Sequence, residues 1–252
     1  MKIALLCPTY LRPGLVPTAI AQALAQEHTH EVRLFILDDA QQYDGQRGDG
    51  WQLTVAARRF ATMGAKHNAL VRLAMEWGAQ ACCLWDDDDV YLRRHVAYHA
   101  EQLALKAWSI PRAKWMQSGA DLTLVHHDDP YCQGSWAFRV AAWEAIGGYP
   151  EQPNNAFDFD LASRLIERFG PPGDYTAEHP PQFVYRWFST GYRNVSSFGG
   201  GEDGRQYYYD LGANNGDATP QHGRLLVPQL DEGAAQLHRL LPELRLERRA
   251  EP

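Results

Sequence analysis

Short apolar runs alternate with amphipathic segments in the first half of the chain. The runs Lys2–Cys7, Glu31–Leu37 and Ala81–Trp85 predict buried strands, because strands covered on both faces of a parallel sheet are almost continuously apolar. Helical spacing predicts helices at about 16–26, 64–77 and 93–107, and Gly78 ends the second of them. Alternating strands and helices predict an α/β fold with a doubly wound, Rossmann-type and mostly parallel sheet.

The pattern is less regular after Pro111, where a smaller mixed portion is expected. Further strands are predicted at 51–57, 121–126, 133–138 and 182–187, and further helices at 139–146, 157–169 and 230–246. The segment 191–216 is rich in Gly, Asn and Tyr, which favours a surface segment.

Composition limits the class of protein. The 252 residues, 45% of them apolar, suit one α/β domain, with or without a C-terminal extension. No run approaches the roughly 18 apolar residues of a membrane span, and the first residues predict a strand rather than a signal peptide. We therefore expect a cytoplasmic protein whose four cysteines are buried and reduced, with Cys82 and Cys83 on opposite faces of the sheet. The net charge of −7 argues against a general nucleic-acid binder.

Four consecutive carboxylates, Asp86 to Asp89, follow the strand Ala81–Trp85 directly. Such side chains repel one another, and a buried anion without a partner is very costly. A divalent cation held by oxygen ligands is the expected partner, and a solvated acidic turn is the alternative. The first two strands also end in polar residues, at Thr9-Tyr10 and at Asp38-Asp39. Open α/β sheets bind ligands at this carboxyl edge.

Five motifs in order carry a family resemblance. They are the strand ends above, Gly64-Ala65-Lys66-His67-Asn68, Gly134-Ser135 with Phe138-Arg139, Gly147-Gly148-Tyr149-Pro150, and the helix beginning Asp158-Phe159-Asp160. Over roughly residues 2 to 200 the chain resembles the family 2 glycosyltransferases, which have the GT-A fold. The resemblance implies metal-dependent transfer of a sugar, with inversion, from a nucleotide-sugar donor to an acceptor hydroxyl. A UDP-sugar is the expected donor. We expect a donor half at 1–110, an acceptor and catalytic half at 111–200, and an extension at 201–252.

The resemblance also implies roles for individual residues. Asp86, Asp88 and Asp89 would hold Mn²⁺ or Mg²⁺, with Asp86 and Asp87 also meeting the donor. Asp38 and Asp39 would hold the nucleoside, flanked by Pro8, Thr9 and Tyr10. Lys66 would reach the donor phosphates, and Asn68 would fix the local loop. Structural alternatives are an ordinary strand-end Asp pair at Asp38-Asp39 and a helix-start charge and cap at Lys66 and Asn68. His67 is expected at the surface.

Asp158 is the expected catalytic base, because it matches the Asp of the family's usual Glu-Asp pair, and Trp136, Asp160 and Tyr192 are expected on the acceptor side. Asp160 could instead form a helical ion pair with Arg164, four residues on. The chain departs from the family at Phe157, which replaces the Glu. It also lacks a late His before Asn194-Val195-Ser196. Water, His222, His126 or His127 could complete the metal shell instead. Aromatic residues between Phe183 and Tyr209 could form a platform for a sugar or a base.

Three alternatives stay open at this point. The first is a metal-dependent nucleotidyl or phosphoryl transferase, although strand one lacks the expected nucleophile or glycine-rich loop. The second is a module that binds a nucleotide-sugar without catalysis. The third concerns the acceptor, which could be a modified base in DNA if Arg93, Arg94, Arg139 and Arg193 form a basic groove.

Overall fold

The fold is given by a computed structural model that describes residues 1–10, 15–118, 121–126, 133–151 and 156–186. The expectations for Tyr192, for the late Asn-Val-Ser motif, for His127 and His222, and for the last helix lie outside these residues. The strands are β1 (Lys2–Thr9), β2 (Glu31–Asp38), β3 (Gln46–Gly48), β4 (Trp51–Val55), β5 (Ala81–Leu84), β6 (Val90–Tyr91), β7 (Trp108–Ser109), β8 (Ala113–Ser118), β9 (Asp121–His126), β10 (Ala137–Arg139) and β11 (Phe183–Arg186). The α-helices are α1 (Val16–Leu24), α2 (Met63–Trp77), α3 (His95–Leu105), α4 (Val140–Ala145) and α5 (Phe157–Phe169).

Within the described residues the main sheet has seven strands in the order β3-β4-β2-β1-β5-β10-β7. β4, β2, β1 and β5 are parallel neighbours, whereas β3 and β10 run antiparallel to the strands beside them. The mostly parallel α/β architecture predicted from the sequence is therefore confirmed. The carboxyl ends of β1, β2 and β5 meet at one edge, as the predicted ligand site requires.

Helices cover both faces of this sheet. Side chains of α1 and α3 pack on one face with Ile3, Leu5 and Cys83, and side chains of α2, α4 and α5 pack on the other face with Leu6 and Cys82. The vicinal cysteines thus point to opposite faces, as predicted from strand alternation. Cys7, Cys82 and Cys83 are buried and reduced.

A second sheet, in the order β6-β11-β8-β9, stands beside the first. The chain passes from one sheet to the other through Asp86–Asp89, because β5 belongs to the seven-stranded sheet and β6 to the smaller one. The acidic run is therefore a connection whose two ends are each held by strand pairing. This is a more constrained setting than a solvated surface turn.

Helix ends agree well with the sequence signals. The Thr62 hydroxyl caps α2 by accepting from the amide of Ala65 at 3.1 Å, and Gly78 ends it in the left-handed conformation with φ 88°. One prediction was wrong: residues 133–135 form a 3₁₀ turn, and only Ala137–Arg139 is a strand. None of the helices in the described part of the chain has the length and apolar character to span a membrane.

Candidate donor and catalytic site

The acidic loop Asp86–Asp89 is tied to the end of β1. Asp87 and Asp89 are buried, at 2% and 3% exposure, while Asp86 and Asp88 are partly exposed. The hydroxyl of Thr9 donates to Asp87 Oδ2 at 2.7 Å. Thr9 is itself fully buried, so this contact holds the acidic loop against β1. The contacts of Thr9 and Asp87 with a donor, expected from the sequence, stay predictions.

Two of the carboxylates converge on Gly134. A Cβ added to this glycine would collide with Asp86 Oδ2 and would lie 3.1 Å from Asp89 Oδ2. The absence of a side chain at position 134 therefore allows the oxygens of these two carboxylates to approach the main chain at the same point. Carboxylate oxygens are the ligands that Mg²⁺ and Mn²⁺ prefer, and one or two of them suffice where phosphates and waters supply the rest. The donor set fits a divalent cation.

Asp86 and Asp89 are the two carboxylates for which the structure shows a close approach to Gly134. In the ranges that the structure covers, no group of three or more His, Cys, Asp or Glu side chains stands close enough to hold a metal. Asp88 is partly exposed, and His126 is exposed at the end of β9. Asp86 and Asp89 are thus the residues that could hold a cation, and the predicted role of Asp88 stays a prediction.

Sequence reasoning missed two residues that shape the acidic loop. The hydroxyl of Tyr91 accepts from the amide of Asp86 at 2.6 Å and donates to the carbonyl of Gly134 at 2.8 Å. Gln22 donates to the carbonyl of Asp89 at 3.2 Å and accepts from the amide of Tyr91 at 2.6 Å. Burial raises the pKa of Tyr91, and the nearby carboxylates of Asp86 and Asp89 raise it further, so the phenol stays protonated. A glutamine within the apolar stretch of α1 was the available signal.

Asp38 holds the loop that follows β2. Its carboxylate accepts from the amides of Ala40, Gln42 and Tyr43 at 2.8, 2.6 and 3.1 Å, and the residue is fully buried. Both of its oxygens hold main-chain amides, and the expected contact of Asp38 with the nucleoside stays a prediction. These hydrogen bonds are the ones expected of the structural alternative, a strand-end Asp.

Asp39 and Lys66 form a buried ion pair. Lys66 Nζ lies 2.5 Å from Asp39 Oδ1 and 2.7 Å from the carbonyl of Thr9, and the two side chains are 3% and 5% exposed. Burial lowers the pKa of Lys66, while Asp39 opposes that effect. Lys66 thus joins the ends of β1 and β2 and does not reach toward donor phosphates. Asp39, which also accepts from the amide of Phe60 at 3.1 Å, keeps its nucleoside role only as a prediction.

The other members of the Gly-x-Lys-x-Asn motif hold the loop that precedes α5. Asn68 accepts from the amide of Tyr149 at 2.8 Å and donates to the carbonyl of Tyr149 and to Glu151, each at 2.9 Å. Gly64 lies so close to the carbonyl of Pro150 that a Cβ could not be accommodated. The loop-fixing role predicted for Asn68 is confirmed. With 3% exposure Asn68 is not a donor ligand.

Tyr10 and Pro8 stand at the end of β1. Pro8 is buried within the strand, whereas Tyr10 is partly exposed and its ring lies 4.2 Å from the guanidinium of Arg59. The stacking of a base on Tyr10 stays a prediction.

His67 is not a surface residue, contrary to expectation. It is 3% exposed and its ring stacks against Tyr149 and against Phe157, at centroid distances of 5.0 and 5.7 Å. Burial, assisted by the charge of Lys66, lowers the pKa of His67 to about 3. The ring is therefore neutral at physiological pH.

Asp158 lies in the first turn of α5 and is partly exposed. Burial raises its pKa above the ordinary value, although main-chain amides that donate to the carboxylate, among them Phe159 at 2.9 Å, oppose this effect. Burial raises the pKa of Tyr149, and the carboxylates of Asp158 and Asp86 raise it further, so both carboxylates lie near the Tyr149 phenol. A carboxylate with a raised pKa is suited to accept a proton.

The residues expected on the acceptor side divide into three cases. Asp160 is partly exposed and pairs with Arg164 at 3.5 Å, as the spacing predicted, and its contact with an acceptor stays a prediction. Trp136 is 1% exposed and packs against Trp108, and its expected contact with an acceptor stays a prediction. Tyr192 lies outside the described residues.

The sequence matches no protein-family model and no curated protein. Solved structures do resemble the chain. S. aureus TarS 1–349 in complex with UDP aligns at 11% identity and a TM-score of 0.56, over 96% of this chain and 82% of that one. Its complex with UDP-GlcNAc gives 11% and 0.54 over the same shares. The chain spans half of a longer TarS structure.

A mannosyltransferase, PcManGT from Pyrobaculum calidifontis, in complex with GDP-Man and Mn²⁺, aligns at 16% identity and a TM-score of 0.50, over 95% of this chain and 72% of that one. At such low identity these likenesses show the fold. The chain has the α/β fold of these glycosyltransferases, and the GT-A-like fold class predicted from the sequence is confirmed.

Proposed function

We propose that the protein transfers a sugar from a nucleotide-sugar donor to an acceptor hydroxyl, in the presence of Mn²⁺ or Mg²⁺ and with inversion. The observation that supports this most is the convergence of Asp86 and Asp89 on Gly134, at the carboxyl edge of the sheet. The structural neighbours in complex with UDP, UDP-GlcNAc or GDP-Man support the donor class. A UDP-sugar is our first choice of donor.

In the proposed reaction Asp158 accepts the proton of the acceptor hydroxyl. The acceptor oxygen forms a bond to the anomeric carbon while the bond from that carbon to the donor phosphate oxygen breaks, so the nucleoside diphosphate leaves. A bound divalent cation would neutralise the negative charge that develops on the diphosphate. Asp86 and Asp89 are the residues that would hold it. The remaining acidic-loop contacts, from Thr9, Gln22 and Tyr91, keep these carboxylates in place.

The raised pKa of Asp158 matches its proposed role. A base must be deprotonated at working pH yet retain affinity for a proton, and partial burial moves a carboxyl in that direction. Aspartates on the same helix face other surroundings: Asp160 meets Arg164. We therefore assign proton transfer to Asp158 alone.

Donor binding is the first test. Thermal melting is measured with UDP, GDP and their sugar derivatives, with Mn²⁺, with Mg²⁺ and with EDTA. A ligand at 100 times its Kd stabilises the native state by about 2.7 kcal/mol. We expect a cation-dependent shift that Asp86→Asn and Asp89→Asn abolish, while the exposed control Asp49→Asn retains it.

Turnover is the second test, and it separates an enzyme from a binding module. We expect the release of nucleoside diphosphate from the donor that binds, and its loss in Asp158→Asn but not in Glu167→Gln, an exposed carboxylate on the same helix. A cation-dependent shift without turnover for any acceptor would show a binding module. No shift with any nucleotide would contradict the proposal.

A further inference from the structure

Tyr149 lies between the turn that carries Gly134 and the helix that carries Asp158. Its hydroxyl accepts from Gln133 Nε2 at 2.9 Å, and Gln133 is the immediate neighbour of Gly134. Its ring centroid is 5.9 Å from that of Phe157, the residue before Asp158. One side chain therefore contacts both parts of the proposed active site.

His67 packs against both of these rings. It stacks on Tyr149 with an interplanar angle of 28° and on Phe157 with one of 23°. Its Nδ1 is buried and makes no hydrogen bond with the described residues. The three ring centroids lie 5.0, 5.7 and 5.9 Å apart, so the neutral imidazole, Tyr149 and Phe157 form a triangular aromatic cluster in which each ring contacts the other two.

The main chain on either side of Tyr149 is held firmly. Asn68 bonds to both the amide and the carbonyl of Tyr149. Arg164 donates to the carbonyls of Ile146 and Gly148, each at 2.7 Å. With its backbone fixed by α2 and α5, the Tyr149 side chain has little freedom, and it transmits the position of Gln133 to Phe157.

We propose that Gln133, Tyr149, His67 and Phe157 form a positioning unit that sets the distance between the Asp158 carboxylate and the acidic loop. The inference rests on the proposed function, in which these two groups act on one donor–acceptor pair. The four residues are positioning residues, because each acts through Asp158 or through the turn at Gly134. Phe157, which departs from the family pattern, is the ring that joins Asp158 to this unit.

Removal of the hydrogen bond tests the unit without removal of its packing. Tyr149→Phe keeps the three-ring cluster, and Gln133→Leu removes the donor. We expect each to lower turnover at saturating donor about tenfold or more, and the double variant to lower it little further, because both remove one interaction. The Kd for UDP is expected to stay within about twofold. Tyr98→Phe, on α3, is the matched control.

Two readouts keep this test decisive. The first is release of nucleoside diphosphate from UDP-GlcNAc and related donors with water as the acceptor, measured beside UDP affinity and melting temperature. The second is the ¹³C titration of the Asp158 carboxyl, assigned by its absence in Asp158→Asn. We expect its pKa in Tyr149→Phe to fall toward the ordinary value of an aspartate, because without the hydrogen bond to Gln133 the aromatic rings still pack but no longer hold Asp158 in its partly buried position. Tyr98→Phe leaves it unchanged.

The outcomes distinguish the two proposals. If Asp158→Asn abolishes turnover while Tyr149→Phe and Gln133→Leu match Tyr98→Phe in rate and in titration, the positioning unit is refuted and the function stands. If no donor binds or turns over, the proposed function fails, and an altered Asp158 titration in Tyr149→Phe still supports the unit. An unchanged titration then refutes it as well.

Discussion

The charged form of Asp158, which the proposed catalysis needs, is the form that destabilises the fold. Its pKa is raised in the folded state, so the folded protein binds this proton more tightly than the unfolded chain does. Stability from this group is therefore present at low pH and is lost as the pH rises through the carboxyl's pKa range. At neutral pH the charged carboxylate destabilises the fold.

Asp158→Asn should therefore raise the melting temperature at pH 7.5 while it lowers turnover by about 10² to 10⁴, the usual contribution of a general base. Calorimetry at pH 7.5 and pH 4 checks the stability effect, which should shrink at the lower pH. Glu167→Gln should show neither effect. A destabilised Asp158→Asn protein with full turnover would contradict both parts.

Gly134 is a residue whose lack of a side chain matters more than its backbone conformation. Gly134→Ala places a methyl group against Asp86 Oδ2 and within 3.1 Å of Asp89 Oδ2. We expect at least a tenfold loss, about 1.4 kcal/mol, in affinity for UDP with Mn²⁺, measured by calorimetry. Gly45→Ala, whose methyl group would meet only the carbonyl of Leu53 at 3.8 Å, should bind as the parent does. Equal affinity of both variants would disprove the cation site.

At the scale of elements, a single polar side chain ties together the carboxyl ends of the neighbouring strands β1 and β2. Lys66 on α2 bonds to the carbonyl of Thr9 in β1 and to Asp39 after β2. The pair is almost fully desolvated, unlike Lys2 and Glu31, whose side chains are 39% and 57% exposed. Breaking a buried pair leaves an uncompensated charge, whereas an exposed pair contributes little.

Asp39→Ala should therefore lower the free energy of unfolding by about 3–5 kcal/mol, because it leaves the Lys66 ammonium buried without its carboxylate. Glu31→Gln, which breaks the exposed pair, should cost about 1 kcal/mol or less. Urea denaturation of the two variants makes the comparison. A small effect of Asp39→Ala would mean that Lys66 loses its proton or reaches water once Asp39 is removed.

Long, strongly patterned elements were predictable from the sequence, and short ones were not. β1, β2 and β5 are apolar over most of their length because both faces of the sheet are covered, and α2 and α5 each end at a glycine. β6 and β7 have two residues each, too few to show a period. The 3₁₀ turn at Gln133–Ser135 was mistaken for strand, because the residues that fix it, such as Tyr91, are distant in sequence.

The sequence predicted which strand ends lie together at the candidate site, but it predicted the contacts of individual side chains less well. Carboxylates at strand ends located the edge correctly, since strand direction alone brings such ends together. Whether a polar side chain faces a ligand or holds the backbone depends on tertiary contacts. Four residues with a predicted site role make hydrogen bonds that hold the loops around the site: Asp38, Thr9, Asn68 and Lys66. The sequence does not distinguish Tyr91 and Tyr149 from other tyrosines, because a tyrosine occurs as readily in a hydrophobic core as in a functional site.

At the scale of the whole molecule, buried histidines make the fold sensitive to acid. Burial lowers the pKa of both His67 and His99 to about 3, and it lowers that of His95 as well. His99 lies near the Ser109 hydroxyl, the Ser135 carbonyl and Asp174. The carbonyl and Asp174 favour the charged imidazole, but the effect of burial on the pKa is larger. The pKa values of these histidines in the folded state lie below the value of 6.5 in the unfolded chain. The stability that depends on the neutral rings is therefore complete above pH 6.5 and is lost as the pH falls toward 3.

Each such histidine should cost up to about 1.4 kcal/mol of unfolding free energy per pH unit in that window. Denaturant midpoints at pH 7.5 and 5.5 measure the slope. His99→Asn, which keeps an amide near Ser109, should unfold with a shallower pH dependence than the parent. His179→Gln, at the surface beside Glu101, should keep the parent slope. Identical slopes for His99→Asn and the parent would contradict the assignment.

The passage from β5 to β6 has a consequence for how this chain can vary. Val90 and Tyr91 pair with Val184 and Phe183 of one sheet, while Ala81–Leu84 pair with β1 of the other. One inserted residue would turn the Tyr91 phenol to the opposite face, because side chains alternate along a strand. It would also carry Asp89 away from Gly134. The number of residues between Leu84 and Val90 is thus under as strict a constraint as their chemistry, and related chains should tolerate substitutions there more readily than insertions or deletions.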